Sequence, residues 1–353
     1  MSQLSQVAVT TKKVIKYAGL GLVSYLILSS SLKFGIRLWR QLHPEPPPEP
    51  TVAFGKLSAI EFPQPTTKHQ FTYKLETPSG GLPALADRAT VYALPPKKAN
   101  LLALDKAKAL AKKLNFLEEP QKLTSDIYRF SKQLPALLTL DVNLINDTFL
   151  MEYQWQNDEI ILTQKQFPSE TFITEQVQQT LEQLNLLTSD LETGEAQVSY
   201  LKARVNTLIS APSLSEADFV RVDLFRNTEE VPVVTPYPPE ANISFIFSGS
   251  NEQDKQIIYL KYDYYPVDYN SLATYPLKPI TTAWEEFQAN KAYIARVENN
   301  TNQEIAIRRI YLALYDSDQF QPFLQPVYVF QGDNNFVAYI SAIDSEWLIQ
   351  ENP

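Results

Sequence analysis

The chain has 353 residues, 44% of them apolar, which is enough for two or three domains with their own cores. It contains no cysteine, which excludes a disulfide scaffold, a thiol nucleophile, a zinc–thiolate site and a lipid anchor on cysteine. Two histidines leave little room for a histidine-built metal centre, and 19 tyrosines with 18 phenylalanines favour sheets over helical bundles.

Charge is distributed unevenly along the chain. The first forty residues contain six basic residues and no acid. The whole chain has a net charge of −9, so the remainder carries −15. Binding to nucleic acid needs a basic face that displaces counterions from phosphates. We therefore expect no nucleic-acid partner for the acidic body.

An apolar run over residues 17–32 contains no charged residue and is flanked by Lys16 and Lys33. Lysines near the ends of a helix can snorkel, so extension to Val14 and Leu38 gives the length that a bilayer requires. The sequence therefore predicts a cytoplasmic tail over residues 1–13 and a transmembrane anchor over residues 14–38. The anchor residues are Tyr17, Leu20, Leu22, Val23, Leu26, Ile27, Leu28 and Leu32.

Two alternatives fit this run less well. A cleaved secretory signal peptide needs small residues after the apolar run, where this chain has Lys-Phe-Gly-Ile-Arg over residues 33–37. An amphipathic surface helix needs one apolar face, whereas residues 26–28 are consecutive and apolar. The basic residues on the two sides of the run are equal in number, so charge alone does not predict the orientation.

A proline-rich segment follows the predicted anchor. Residues 43–50 read His-Pro-Glu-Pro-Pro-Pro-Glu-Pro, and Pro63 and Pro65 lie further on. Such runs adopt an extended polyproline II conformation and act as stiff spacers. We predict a stalk over residues 39–67. A ligand for an SH3-like domain is the alternative, and the position beside a membrane segment disfavours it.

The first predicted module spans residues 68–167 and combines strands with one helix. Asp105 is the predicted helix cap, and Asn115 is the predicted stop. The alternation of apolar residues predicts strands over residues 71–75, 89–94, 127–131, 136–143 and 149–155, the last two joined by a hairpin.

The second predicted module spans residues 168–353. A helix over residues 170–186 has its apolar stripe at Ile173, Val177, Leu181 and Leu184. Residues 198–209 suit a helix or a strand, and β-branched residues favour the strand. Thr282 and Glu285 form a predicted capping box. Further strands are predicted over residues 219–225, 243–247, 256–264, 293–297, 305–315, 327–330 and 336–340.

The expected fold class is therefore α+β: a single N-terminal transmembrane helix, a Pro-rich stalk and two antiparallel-sheet-plus-helix modules. A helix followed by antiparallel strands occurs after Asp105 and again after Thr282. This order suggests a duplicated unit in which a helix packs on a sheet.

The C-terminal part of the chain resembles the YycH/YycI-type regulatory domain, which is related in plan to PepSY-like modules. The resemblance rests on residues 275–293, 305–315, 324–330 and 336–342, the third of which contains Leu-Gln-Pro-Val-Tyr-Val-Phe. It implies a single-pass membrane protein with a cytoplasmic N-terminus and an extracytoplasmic domain. Proteins of this family bind and restrain a sensor histidine kinase of the envelope, and their pattern contains no catalytic residue to carry over.

The residues themselves predict no catalytic, metal or cofactor site. Ser248-Gly249-Ser250 lacks the second glycine of a nucleophile elbow and is typical of a turn at a strand end. Asp316, Asp318 and Asp333 lack the spacing of a calcium loop and are interpreted as a solvated turn. We expect no small-molecule cofactor.

The densest unusual feature is a tyrosine-rich stretch, interpreted as a possible interaction face. Strand alternation places Tyr259 and Tyr265 on one face of the strand, and Tyr262 and Tyr264 on the other face. Tyrosine suits contact with protein, peptide or glycan, and cross-strand packing in a sheet is the alternative. The residues are Tyr259, Tyr262, Tyr264, Tyr265 and Tyr269.

The sequence thus predicts a non-enzymatic, single-pass protein of the cell membrane with an extracytoplasmic body that binds or regulates another envelope protein. Its expected partners are the lipid bilayer and that protein. A structural protein of the cell surface and a hydrolase directed at the cell wall are the alternatives.

Overall fold

The computed structural model describes residues 25, 28–35, 49–64, 71–97, 100–228, 231–298 and 304–349. The chain divides into two units, residues 1–49 and 50–353. In the first unit, residues 28–35 form helix α1, on which Leu28 and Leu32 are exposed. Within these described ranges, no helix combines the length and the apolar character needed to cross a bilayer. The remaining predicted anchor residues lie outside the described residues: Tyr17, Leu20, Leu22, Val23, Leu26 and Ile27.

The second unit, called the body below, is α+β, as predicted, with two sheets and few helices. Its helices are α2 (Ala103–Lys113), α3 (Glu170–Leu184), α4 (Ser189–Glu192), α5 (Gln253–Gln256) and α6 (Ile280–Gln288). Its strands are β1 (Thr72–Leu75), β2 (Arg88–Ala93), β3 (Gln121–Lys122), β4 (Ile127–Gln133), β5 (Leu137–Asn143), β6 (Thr148–Tyr153), β7 (Ala196–Arg204), β8 (Thr207–Ser210), β9 (Phe219–Leu224), β10 (Val233–Val234), β11 (Ile243–Ser248), β12 (Ile257–Tyr262), β13 (Asp268–Pro276), β14 (Tyr293–Arg296), β15 (Glu304–Tyr315), β16 (Phe323–Gly332) and β17 (Val337–Ser341).

The larger sheet has nine strands in the order β3-β4-β5-β6-β12-β11-β9-β7-β8, and every described pair in it is antiparallel. Helix α3 packs on β7 and β9 and contacts α2. The predicted apolar stripe of α3 is confirmed, because each of its four residues is buried against this sheet. Alternate residues of the central strands, such as Phe245 and Leu260, complete the same core.

The smaller sheet has eight strands. Its main path is β1-β15-β16-β17-β14, and the β2–β13 pair joins it at the start of β16. The short strands β1 and β10 both pair with β15 in parallel, and the other described pairs are antiparallel. Helix α6 covers one face, where Phe287 stacks on Phe330 with 4.2 Å between ring centroids.

The predicted module boundary at residue 167/168 does not separate the two sheets. Strands from both sides of it share the nine-stranded sheet, because β6 pairs with β12 in a register that sets Met151 opposite Leu260. Conversely, β1 and β2 belong to the eight-stranded sheet with the C-terminal strands. Two helix-plus-strand units thus merge at one strand pair, which removes an exposed edge from each of them.

The predicted stalk is too long, because residues 50–64 pack on the body. Leu57 is fully buried, donates its backbone N–H to Trp347 O at 2.8 Å and accepts from Ile349 N at 2.8 Å. Ile60 is 9% exposed, and the Phe54 ring lies 5.2 Å from that of Phe323. The predicted stalk and the observed packing differ because apolar residues lie between the prolines. Such residues are buried in a folded body, whereas a spacer in water gains nothing from them.

Both predicted helix caps are wrong. Helix α2 begins at Ala103, so Asp105 lies in its first turn, and α6 begins at Ile280 after Pro279. Thr282 therefore lies inside α6, and the residue at the cap position is Pro279, whose side chain makes no capping hydrogen bond. The strand interpretation of residues 198–209 is confirmed as a hairpin, β7 and β8, with a turn at Val205.

The suggested duplication holds for element order but not for topology. After α2, strands β3–β6 form a simple meander, whereas after α6 the sheet order is β15-β16-β17-β14. A third helix, α3, also precedes antiparallel strands of the nine-stranded sheet, namely β7, β8, β9, β11 and β12. Each helix covers the sheet that its following strands enter, which is the general α+β solution to burying an apolar face.

Candidate functional site

The tyrosine-rich stretch starts in β12 and continues through the connection into β13. Strand β12 ends at Tyr262, so the alternation predicted for the later tyrosines does not apply beyond it. The structure places the five residues as follows: Tyr262, Tyr264 and Tyr265 are buried, and Tyr259 and Tyr269 are half-buried. Most of the predicted interaction face therefore lies inside the body.

Tyr262 fits the alternative interpretation, cross-strand packing. It lies opposite Phe149 of β6, and the two rings stack with 5.3 Å between their centroids. Its hydroxyl donates to Leu186 O at 3.2 Å. An aromatic pair in this arrangement stabilises a sheet beyond the area that it buries.

Tyr264 and Tyr269 both reach the buried carboxylate of Asp190 in α4. The Tyr264 hydroxyl donates to Asp190 Oδ1 at 2.9 Å, and the Tyr269 hydroxyl donates to Oδ2 at 3.0 Å. Thr188 donates its own hydroxyl to Oδ1 at 2.6 Å. These three donors satisfy a charge that would otherwise be very costly to bury.

The cation of this network is Arg226, whose side chain is 1% exposed. Its Nε donates to Asp316 Oδ2 at 2.9 Å, and its Nη1 lies 3.7 Å from Asp190 Oδ2. Its Nη2 donates to Tyr265 O at 3.0 Å, and the guanidinium lies 4.6 Å from the centroid of the Tyr264 ring. One arginine thus serves two carboxylates, a carbonyl and an aromatic face.

Protonation in this network follows from burial. Burial raises the pKa of Asp316, and the adjacent Arg226 opposes that rise. Burial alone lowers the pKa of Arg226, but the charges around it, Asp316 first, hold its pKa above the ordinary value. The pKa values of Tyr264 and Tyr269 are also raised, mainly by burial, so both phenols stay neutral and act as donors.

This network joins the two sheets. Arg226 follows β9 of the nine-stranded sheet, whereas Asp316 follows β15 of the eight-stranded sheet. The described contacts assign it a structural role at that junction. Sequence analysis missed Arg226 and Asp190, and interpreted Asp316 as part of a solvated turn. The available signal was weak, because Arg226 follows a predicted strand that already carries Arg221 and Asp223.

A second buried network surrounds Lys255. Its ammonium group lies 3.4 Å from Asp158 and 3.0 Å from Glu252, and Tyr153 donates to Asp158 at 2.7 Å. Burial lowers the pKa of Lys255, but the two acids outweigh this and hold its pKa above the ordinary value. A lysine held as a cation is not a nucleophile or a general base at neutral pH.

The Ser248-Gly249-Ser250 motif closes β11 beside this network. The Ser248 hydroxyl bonds back to the chain at Lys255 O, and the Ser250 N–H donates to Ser248 Oγ at 3.1 Å. A Cβ on Gly249 would lie 2.3 Å from Gln164 O. The motif is therefore a packed turn, in agreement with its interpretation as a strand end.

Among the five tyrosines, half-buried Tyr259 lies on the sheet face opposite the helices. Tyr259 lies opposite Glu152 on one side and Ile246 on the other, and Ile246 lies opposite Arg221. Tyr200 lies on the other face of the sheet, and its hydroxyl bonds to Glu170 of α3. That other face is therefore the one covered by the helices. We call the face that carries Tyr259 the Tyr259 face; its polar members are Arg129, Asp141, Glu152, Arg221, Asp223, Tyr259 and Lys261.

Charges of both signs alternate across the Tyr259 face. Arg129 and Asp141 pair at 2.6 Å, and Arg221 pairs with Asp223 at 2.8 Å and with Glu240 at 2.9 Å. Burial raises the pKa of Tyr259 to about 12, so its hydroxyl is neutral and can donate or accept a hydrogen bond. A half-buried tyrosine among arginines and acids has the composition of a protein-binding surface.

At one border of this face, Asp263 follows β12. Burial raises its pKa to about 6, and Lys261, 3.6 Å away, opposes the rise only in part. Nearby Asp318 adds a like charge that raises the pKa further. This carboxyl group therefore changes its charge close to neutral pH.

Metal-binding clusters are not found in the described ranges, where no three ligand-type side chains converge. The prediction of a solvated turn at Asp316, Asp318 and Asp333 is wrong for Asp316, which is buried with Arg226. Asp333 lies elsewhere and pairs with Arg308 at 2.7 Å. Asp318 remains near the surface.

Comparison with known proteins adds little to this description. No protein family matches the chain, and no curated protein matches it. Among solved structures, it is similar to an uncharacterized protein from Eubacterium rectale ATCC 33656, at 15% identity over 73% of this chain and 84% of that one, with a TM-score of 0.33. A similarity of this size assigns neither a fold nor a function, and the resemblance to YycH/YycI-type proteins stays a prediction.

Proposed function

We propose that the chain is a single-pass protein of the cell membrane, with a cytoplasmic N-terminus and an extracytoplasmic body that binds and regulates another envelope protein without catalysing a reaction. The apolar run over residues 17–32 and the resemblance of residues 275–342 to YycH/YycI-type domains support the membrane location and the orientation.

The Tyr259 face carries the binding part of this proposal. Its half-buried tyrosine lies between Arg129, whose side chain is 39% exposed, and Arg221, whose side chain is 13% exposed. Tyrosine and arginine are the residue types that dominate binding energy at protein interfaces. The pairing of each arginine with an aspartate holds the guanidinium groups in place before a partner arrives, which lowers the entropic cost of binding.

The packing of residues 50–64 shortens the tether. Only residues 39–49 are left between the predicted anchor and the body. At about 3.6 Å per residue for a fully extended chain, that segment spans at most about 40 Å. A membrane partner would therefore meet the body close to the bilayer, as a regulator of a membrane kinase requires.

The binding test places a photo-reactive amino acid at Tyr259 of the full-length chain in intact cells. We expect cross-links to one defined membrane protein, and we expect the added substitution Arg129→Ala to reduce them at least fivefold, because Arg129 is the more exposed arginine of this face. The matched control places the same group at Phe172, an exposed aromatic residue of α3 on the opposite side of the sheet. Equal products at both positions, or none at Tyr259, would contradict the proposal.

The membrane location is tested separately. A reporter fused after Pro353 should be accessible to protease added to intact cells, and the full-length chain should need detergent for extraction. Protection of the reporter, or a chain that stays in solution after lysis without detergent, would overturn the anchor and the orientation.

A further inference from the structure

The edge of the nine-stranded sheet at β8 differs from the edges at β3, β1 and β14. Within the described part of the chain, β8 has β7 on one side and no strand on the other. Its sequence, Thr-Leu-Ile-Ser, contains no charge and no proline. The opposite edge, β3, has two residues and includes Lys122, and edges β1 and β14 carry Lys74 and Arg296. A charged residue or a very short edge strand blocks pairing with another strand. Strand β8 has no charged residue and is longer than the two-residue strand β3.

The backbone of β8 presents its outward groups in a fixed pattern. Its register pairs Thr207 with Arg204 and Ile209 with Lys202. Ala211 continues this pattern and donates its N–H to Tyr200 O at 2.8 Å. Hydrogen-bonded positions alternate in an antiparallel ladder, so the N–H and C=O groups of Leu208 and Ser210 point away from β7.

From this geometry we infer that β8 is a self-association edge, at which two copies of the chain pair antiparallel through Leu208 and Ser210 around a two-fold axis at Ile209. The outward groups lie two residues apart, so a two-fold axis brings Leu208 of one copy opposite Ser210 of the other. This arrangement makes four backbone hydrogen bonds and continues the sheet into the second copy.

Side chains agree with this register. Ile209 is 39% exposed, a level unusual for isoleucine in a strand, and it meets Ile209 of the second copy at a non-hydrogen-bonded position with close side-chain contact. Lys202 lies beside Ile209 in β7. Lys202 of one copy and Lys202 of the second copy are three strand spacings apart, about 14 Å. That distance exceeds the Debye length of about 10 Å at 0.1 M salt, so the two lysines repel each other only weakly.

The absence of cysteine from the chain makes the pairing directly testable. At the two-fold axis the Cα atoms of Ile209 lie about 4.5 Å apart, within the range that a disulfide can bridge. The Cα atoms of Leu208 in the two copies are about 8 Å apart, which is too far for a disulfide to bridge. The same distance separates the two Ser210 residues.

We propose to oxidise four purified full-length variants under identical conditions: Leu208→Cys, Ile209→Cys, Ser210→Cys and Phe172→Cys. The Ile209→Cys variant should give at least tenfold more disulfide-linked dimer than the exposed control Phe172→Cys and at least fivefold more than either neighbour. A maximum at another position, or equal yields at all four, overturns the inference.

A second variant separates pairing from folding. Ser210→Pro removes an outward N–H at an exposed position and leaves the bonds to β7 intact. In the Ile209→Cys background it should lower the dimer yield at least fivefold while the thermal unfolding midpoint changes little. An unchanged yield overturns the inference. The experiment does not involve the Tyr259 face, so its outcome is independent of the proposed binding function.

Discussion

Arg226 and Asp316 are 90 residues apart in the sequence, yet the Arg226 guanidinium donates to the Asp316 carboxylate at 2.9 Å in the interior of the body. The pair joins the two sheets, and a second carboxylate, Asp190, lies on the other side of the same guanidinium. Two buried acids therefore depend on one cation.

Arg226→Met should destabilise the body by about 3–5 kcal/mol, because it leaves the carboxylates of Asp190 and Asp316 buried without their cation. The measurement is urea unfolding of the full-length chain at pH 7. The control is Arg308→Met: Arg308 is half-exposed and also pairs with two acids, and its loss should cost far less stability than the loss of Arg226. Equal losses for the two variants would contradict the assigned role of the network.

Asp263→Asn should stabilise the body above pH 6 by about 1–2 kcal/mol. Burial raises the pKa of Asp263 to about 6 in the folded state, whereas the unfolded chain titrates near 4. The folded state thus holds the proton more tightly, and its contribution to stability is complete below pH 4 and is lost as the pH rises through 6. Asparagine removes this loss, so the gain should be absent at pH 4.

The control for this pH dependence is Asp333→Asn, which should change the stability in the opposite direction. The hydrogen bond from Arg308 lowers the pKa of Asp333, so ionised Asp333 stabilises the fold above its unfolded pKa. Asp333→Asn should therefore lower stability at pH 7 and still do so at pH 4, because the contribution is lost only as the pH falls through the lowered pKa of Asp333. Unfolding midpoints measured from pH 4 to pH 8 check both variants, and parallel curves for the two would contradict this explanation.

Leu57→Ala should destabilise the body by about 2–5 kcal/mol, because the Leu57 side chain is fully buried and its removal leaves a cavity. Calorimetric unfolding measures this change. Leu101→Ala is the control: Leu101 is fully exposed, and its truncation should change stability by less than about 0.5 kcal/mol. If Leu57→Ala had no effect, residues 50–64 would not be part of the body.

Gly249→Ala should destabilise the body by more than about 2 kcal/mol, because its Cβ would lie 2.3 Å from Gln164 O and 2.7 Å from Gln166 N, both backbone atoms. Gly81 has no atom within 4 Å of the corresponding position. Gly81→Ala should be neutral or stabilising by up to about 1 kcal/mol, since alanine restricts the unfolded chain. Thermal melts of the two variants make the comparison.

Local patterns predicted the local elements well. The stripe from Ile173 to Leu184 was identified because a single helix face is buried at every turn, and this periodicity is visible without tertiary information. Strand β13 was missed, because its apolar residues are spaced irregularly around a register shift between Asp268 and Leu272. Such a bulge breaks the alternation on which strand prediction depends.

Long-range relationships were not predictable in the same way. No local pattern indicates that β6 pairs with β12, or that Tyr264 and Tyr269 meet at Asp190. For the candidate site, the sequence identified an unusual tyrosine-rich stretch but not which residues stay accessible. Only Tyr259 points to the face opposite the helices, because β12 ends before the alternation reaches the later tyrosines.

The eight-stranded sheet closes with the earliest part of the body lying against the latest. Thr72 of β1 lies beside Glu304, and Leu57 exchanges backbone hydrogen bonds with Trp347 and Ile349. A chain made from its N-terminus therefore cannot complete this sheet until residues 304–349 have been made, and contacts at such sequence separation form slowly. A chain that stopped just before Trp347 would leave Leu57 without its backbone partners, although β1 could still pair with β15.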